Sequence, residues 1–417
     1  MHVNRIIFLL LPALAIPALL TGQEFLYRLL YLFLIIIALS FLWVRSNVRN
    51  VEVERLLRSG RAQVGGMVEE RIFLRNRGRW PKLWLEVRDH SNLPGHEVGR
   101  LIPHLPGYRE RSWLVKTPCY RRGEFTLGAI TIAASDPLGL FQMGRTLPAS
   151  SRLIVYPATI HLRGFTLPWG QLSGGDALRR RTQQVTTNVS GVRDYLPGDS
   201  FNRLHWPSIA RTGRLISKEF ELDPTADIWL LLDMEAEVQV GTPGPSIKEP
   251  PSWRAKQSFR LEPTTEEYGV AIAASVAKEL LTKGRALGLI SYGQRRQVVE
   301  IDRGERQLNK VLEALAILRA KGQVSLAEAI AAESRRLGYG NAALVITPST
   351  EEGWIAILRD LHRRGMSVAV IHLEASTFGE APHSLEVIGL LAASNIPTYL
   401  VKCGQPLDEA LSKEFHK

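Results

Sequence analysis

Two uncharged runs near the start constrain this chain more than anything that follows them. Ile6 to Gln23 carries no charged residue, and Leu29 to Val44 (LLYLFLIIIALSFLWV) is a second such run that extends back to Phe25 if Arg28 snorkels toward head groups. Joined by Thr21–Glu24, they predict a membrane hairpin over residues 1–45, with lipid contact through residues 6–44. A cleaved signal peptide is the rival reading, because Arg5 precedes an apolar stretch containing Ala13-Leu14-Ala15. The second run follows at once and would still anchor the product. Arg45, Arg49, Arg55, Arg58 and Arg61 crowd the exit of the second run, whereas the short intervening loop offers only Glu24 and Arg28. The positive-inside rule then puts both ends in the cytoplasm, as a two-pass protein of the cell membrane.

The remainder is too apolar for a disordered chain and too charged for a polytopic transporter: 45% hydrophobic, 22% charged, mean hydropathy −0.03 over 417 residues. Cys119 and Cys403 lie far apart with no second thiol or histidine at metal-ligand spacing, so they read as inert small hydrophobes. A net charge of +11 favours an anionic neighbour, whether lipid, nucleic acid or protein.

From about Val51 to Pro157 short alternating runs (Val68–Leu74, Leu83–Val87, Arg111–Val115, Phe125–Ile132) are broken by Gly, Pro and Asn. They predict a small antiparallel sandwich or barrel, a β-rich spacer over 46–160. Asp136-Pro137-Leu138-Gly139-Leu140-Phe141 reads as a tight turn with a hydrophobic plug. After a basic segment over 161–225, buried-strand runs at Asp227–Leu232, Ala286–Tyr292, Ala342–Ile346, Val368–His372 and Thr398–Val401 alternate with helical patterns. Those patterns fall at Glu266–Lys283, Glu305–Arg319, Leu326–Leu337, Trp354–Arg364 and Ser384–Ser394. This is an α/β unit over 226–417, a parallel sheet covered on both faces, with any site at the carboxyl ends of its strands. The Pro-rich stretch between Gly241 and Pro263 is its candidate lid or partner-contact loop.

The most informative string runs Gly191-Val192-Arg193-Asp194-Tyr195-Leu196-Pro197-Gly198-Asp199, then Arg203-Leu204-His205-Trp206, Ser208-Ile209-Ala210-Arg211-Thr212-Gly213-Arg214-Leu215 and Lys218-Glu219-Phe220-Glu221. From Arg179 to Lys218 eight Lys/Arg face two Asp/Glu, so the segment is no ordinary solvated surface. Two readings stand: a latch in which Arg planes stack on Trp206 and Tyr195, or a face that binds an acidic partner.

The string resembles the signature of the bacterial and archaeal family called domain of unknown function 58, and the Asp136–Phe141 run is similar to that family's upstream Asp-Pro-Phe-Gly-Leu-Phe. His205, where the family usually has Asp, and Pro207, where it often has Lys or Arg, are departures. The resemblance implies binding residues at Arg193, Tyr195, Pro197, Gly198, Asp199, Arg203, Trp206, Ser208, Arg211, Gly213 and Glu219. It also implies a C-terminal domain similar to the von Willebrand factor A fold, and a MoxR-type AAA+ ATPase as protein partner. In such domains Mg²⁺ or Ca²⁺ sits at the sheet's carboxyl edge on hard oxygen ligands. The matching loops here are Asp233-Met234-Glu235-Ala236-Glu237, a second loop offering Ser325, and Val345-Ile346-Thr347-Pro348-Ser349, where Pro348 stands near the place of the third-loop aspartate. The degenerate metal set is therefore Asp233, Glu235, Glu237 and Ser325.

Enzyme signatures are weak. Asp199, His205 and Ser208 supply triad residue types, but no Gly-x-Ser-x-Gly elbow follows a strand. There is no Gly-x₄-Gly-Lys-Ser/Thr loop and no Gly-x-Gly-x-x-Gly, so nucleotide chemistry falls to a partner. The expected function is a membrane-anchored interaction or assembly factor without catalytic residues. A metal-dependent hydrolase at the Asp233/Glu235/Glu237 loop is the alternative, and nucleic-acid binding by Arg179-Arg180-Arg181 is disfavoured because no known module is recognisable.

Overall fold

The structure is a computed structural model that describes residues 2–3, 5–162, 165, 189–195, 205–220, 227–241, 261–337 and 341–412. Arg179–Arg181, Pro197, Gly198, Asp199, Arg203 and most of the Pro-rich stretch lie outside the described residues. A short strand β1 (His2–Val3) leads into α1 (Arg5–Thr21) and α2 (Glu24–Val48). Only α2 is long and apolar enough to cross a membrane among the described residues; α1 is a shorter apolar helix interrupted by Pro12 and Pro17. The buried residues of α2 are Ser40, Val44, Asn47 and Val48, so its apolar surface faces outward along most of its length.

The β-rich unit contains β2 (Val51–Leu57), β3 (Arg61–Gln63), β4 (Met67–Asn76), β5 (Lys82–Asp89), β6 (Arg100–Leu105), β7 (Glu110–Pro118), β8 (Gly123–Leu127), β9 (Ile130–Ser135), β10 (Phe141–Leu147) and β11 (Ser151–Tyr156). β2-β4-β7 and β1-β10-β9-β5-β6 face each other, and their inward side chains, among them Ile72, Leu74, Leu85, Ile102 and Ile132, form one core. A third sheet, β3-β11-β8, is partly parallel, because β3 runs alongside β11. The expected single strand Phe125–Ile132 is two. The chain changes sheets at Gly128, where a Cβ would stand 2.2 Å from the carbonyl oxygen of His90. Cys119 is buried here, and burial pushes its thiol up to about 11, consistent with an inert packing residue.

The signature segment forms an antiparallel ribbon, β12 (Val189–Asp194) with β13 (Ile216–Phe220), around the short helix α3 (Trp206–Thr212).

The C-terminal unit is a six-stranded sheet in the order β16-β15-β14-β17-β18-β19: β14 (Ile228–Leu232), β15 (Leu287–Tyr292), β16 (Arg296–Asp302), β17 (Ala342–Thr347), β18 (Ser367–Leu373) and β19 (Thr398–Val401). Five strands are parallel. The expectation of a wholly parallel sheet is corrected at the edge, where β16 pairs antiparallel with β15. Its sequence, RQVVEID, is half-exposed along its length, which hid it from a search for buried runs. One face is covered by α4 (Thr265–Thr282), α5 (Gly304–Ile317) and α9 (Leu407–Ala410). The other is covered by α6 (Leu326–Ala332), α7 (Gly353–Arg363) and α8 (Leu385–Ala393). α6 ends five residues before the expected Leu337, in turns whose Glu333 carboxylate accepts from Tyr292 and Arg296 at 2.7 Å each.

The two large units meet through buried charge. Arg122, 1% exposed, donates to Glu266 at 2.6 Å and to the carbonyl of Leu318 at 2.9 Å, and its other terminal nitrogen lies 2.5 Å from Glu267. Arg319 reaches both glutamates and donates back to the Arg122 carbonyl at 2.8 Å.

Candidate functional site

Reversal of strand order places a topological switch between β14 and β17, and the crevice of an open α/β sheet lies outside the carboxyl ends of such a pair. Asp233 follows β14 directly and is nearly buried. Its backbone N–H donates to Ile346 of β17 at 3.0 Å. One carboxylate oxygen accepts from the Thr347 hydroxyl at 2.6 Å, the other from the Glu235 N–H at 3.1 Å. Thr347 is held in turn by the Ser349 N–H at 2.9 Å, so β17 contributes a hydroxyl where the sequence comparison had looked for an aspartate.

The loop after Asp233 is pinned by Gly322. Its N–H donates to Met234 at 3.0 Å, and its carbonyl accepts from Ala236 at 2.9 Å. A Cβ at Gly322 would stand 2.1 Å from the Tyr292 carbonyl oxygen, so only glycine fits so close an approach. Glu235, bridged to Gly322, is buried, and its Oε2 has no hydrogen-bond partner.

Among the described residues no cation pairs with these acids. Burial pushes Asp233 up to about 6, against the Thr347 and Glu235 hydrogen bonds that favour its charged form, with Glu351 adding repulsion. Burial also pushes Glu235 up to about 7, reinforced by Asp233, Glu351, Glu237 and Glu328. At neutral pH Glu235 is therefore poised between its two forms beside a mostly ionised Asp233, in a desolvated corner.

The metal set does not assemble: among the described residues no three Asp, Glu, His or Cys side chains converge to hold an ion. Ser325 is occupied as the cap of α6, accepting from the Glu328 N–H at 3.3 Å, while the Glu328 carboxylate accepts from the Ser325 N–H. One Asp233 oxygen is taken by Thr347, and Pro348 offers no ligand. These residues do not fit a resident Mg²⁺ or Ca²⁺, which asks for six or more oxygen ligands.

Beside this corner, between the two units, a cleft of about 560 Å³ is lined by Arg121, Arg122, Gln239, Glu262 and Arg319 among others. A second polar group ends β18. His372 is fully buried, with Nε2 2.7 Å from the Ser384 hydroxyl, and burial lowers it to about 4. Glu374, held below its usual value against the cost of burial by Ser376 and Ser384, accepts from the Ser384 N–H. Ser, His and Glu thus meet, but Ser384 is inaccessible and His372 Nδ1 has no carboxylate partner, so no triad is formed. Sequence reasoning placed Thr347 in the third loop without a role, and missed Glu351, His372 and Ser384. Thr347 and His372 lie among the last residues of apolar strands and Glu351 just beyond one, positions that can be read from the sequence alone, whereas Ser384 precedes α8 and meets His372 only through the fold.

In the signature ribbon, the backbones of Arg193 and Glu219 lie on paired strands. Trp206 is 64% exposed and none of α3 is buried; the cation–π contact among the described residues is Arg75 over Phe73, and Arg179–Arg181 and Arg203 of the latch reading lie outside them. Tyr195 is half-buried and donates its N–H to Leu215 at 2.9 Å. His205 and Ser208 pair at 2.6 Å across the start of α3, Arg211 is exposed, and Gly213 caps the helix at φ 68°.

The family match falls on this ribbon and the residues after it. Residues 191–249 match the family model described as Protein of unknown function DUF58. The resemblance carried by the signature string holds on that segment. A relative, "Uncharacterized protein YeaD" of Bacillus subtilis (strain 168), is 24% identical over 321 residues, covering 75% of this chain and 73% of that one. Among solved structures, the CARDB domain of a Pyrococcus furiosus protein is similar over 25% of this chain and 86% of its own, at 14% identity and a TM-score of 0.18. The pilus adhesin SpaC of Lactobacillus rhamnosus GG is similar over 47% of this chain and 30% of its own, at 11% identity and a TM-score of 0.30. Likenesses at these scores carry no argument about fold. The DUF58 description and the YeaD name assign no activity.

Proposed function

We propose that this chain is a membrane-anchored binding protein whose α/β unit receives a cationic group of a protein partner at the Asp233–Glu235 corner. The observation that carries the reading is a pair of buried, uncompensated carboxylates at the switch point of the sheet, with an unpartnered oxygen on Glu235. An Arg or Lys side chain entering there would pair with Asp233 and drive Glu235 fully to its charged form, and the differential would appear as affinity. Recognition rather than turnover is the reading because, among the described residues, no three metal-ligating side chains converge beside the acids.

In this reading α1 and α2 form a two-pass hairpin with both ends in the cytoplasm, supported by the apolar length of α2 and the arginines at its exit. The strand order, with one antiparallel edge strand, supports likeness of the α/β unit to a von Willebrand factor A domain, and a MoxR-type AAA+ ATPase is the proposed partner. The test is binding of the full chain in lipid nanodiscs to such an ATPase, with Asp233→Asn and Glu235→Gln combined. A loss of about tenfold or more, equivalent to about 1.4 kcal/mol, supports the reading. Unchanged affinity, or absence of binding by the unaltered chain, overturns it.

A further inference from the structure

The turn Asp136-Pro137-Leu138-Gly139-Leu140-Phe141 has no part in the site above. It joins β9 to β10 where the β-rich unit meets α1 and α2, and its shape is fixed from within. The buried Asp136 carboxylate accepts from the Leu138 N–H at 3.0 Å and the Phe141 N–H at 2.6 Å, and the Asp136 carbonyl takes the Gly139 N–H at 3.1 Å. Gly139 sits at φ +67°, where L side chains are rare.

This geometry sends neighbouring side chains in opposite directions. Leu140 and Phe141 pack into a cluster with Ile7 and Val44, flanked by Ile36, Ile37 and Phe41, and Phe141 meets Phe41 edge-on with ring centroids 5.8 Å apart. Leu138 stands out at the tip, 62% exposed. The level of the turn along α2 can be measured from Arg45, the first cation after the uncharged run. Phe41 and Ile37 precede it by about 6 and 12 Å of helix axis at about 1.5 Å per residue. The turn therefore flanks the apolar side of the terminal cation, where Leu39, Leu42 and Trp43 of α2 are exposed.

We propose that the Asp136–Phe141 turn is a bilayer wedge: Leu138 enters the boundary between head groups and acyl chains beside α2, while Leu140 and Phe141 clamp the helices. The proposal rests on the reading of α2 as a membrane span. Lipid is the occupant because the turn that exposes Leu138 is clamped by Leu140 and Phe141 to the stretch of α2 where Leu39, Leu42 and Trp43 are also exposed and Arg45 marks a head-group layer. The wedge gives the β-rich unit a second point of contact with the membrane and so fixes its tilt.

The experiment uses the full chain with Cys403→Ser, leaving only the buried Cys119, and Leu138→Cys labelled with an environment-sensitive fluorophore. Leu385→Cys on α8, a position 76% exposed, is the aqueous reference. Both are reconstituted in vesicles of phosphatidylethanolamine and phosphatidylglycerol, with or without brominated acyl chains, and integral insertion is scored in parallel by resistance to alkaline carbonate. Blue-shifted emission at 138, quenched several-fold more by brominated lipid than at 385, supports the wedge. Water-like emission at 138 in a carbonate-resistant chain overturns the wedge and leaves the span. Dry but unquenched emission overturns it in favour of a protein neighbour such as a second copy. Release by carbonate removes the span and the wedge together.

Discussion

At the scale of single residues, the decisive quantity is the protonation of Asp233 and Glu235. Their ordinary values of 3.8 and 4.5 rise to about 6 and about 7 on folding. Acids raised in the folded state contribute stability that is full below the unfolded values and lost as pH rises through the folded ones. The denaturation midpoint should therefore fall between about pH 4 and pH 7, and Asp233→Asn with Glu235→Gln should flatten that fall. A midpoint that rises over the same window would contradict the buried-acid assignment. Gly322→Ala should cost about 1–3 kcal/mol, because its Cβ meets the Tyr292 carbonyl and pushes the acidic loop away from its anchor. Chemical denaturation checks the loss, and weaker partner binding checks the displacement.

Whole elements show what can be read from a sequence and what cannot. Asp233 and Glu235 were legible because they follow a fully buried strand, and most helices and strands of the α/β unit lie close to where their periodicity puts them. The edge strand β16 was not, because one edge of it is unpaired and its side chains are half-wet. The division of Phe125–Ile132 was not, because it turns on one backbone approach at Gly128 between residues 38 positions apart. Ser325 teaches a related lesson: a hydroxyl in the expected metal loop serves its own helix. Ser325→Ala should cost about 0.5–2 kcal/mol of stability, the usual worth of a lost N-cap, equally with and without added Mg²⁺. Thermal unfolding in the two conditions tests this, and a cost that appears only with Mg²⁺ would restore the metal reading.

For the molecule as a whole, Arg122 is the tie between two units that each have their own core. Arg122→Met leaves Glu266 and Glu267 without their buried cation and should cost about 3 kcal/mol, moderated by Arg319, with unfolding splitting into separate transitions for the β-rich and α/β units. Calorimetry of the full chain distinguishes this from a uniform loss in one transition. The clamp of Phe141 on Phe41 carries a consequence of timing. The two rings are 100 positions apart, so α1 and α2 leave the ribosome roughly 5–20 s before the turn that will grip them, at synthesis rates of about 5–20 residues per second. During that interval the helix pair must hold together on its own contacts. The β-rich unit is assembled against a partner already in place, so the helix pair is the template and the sandwich is the casting.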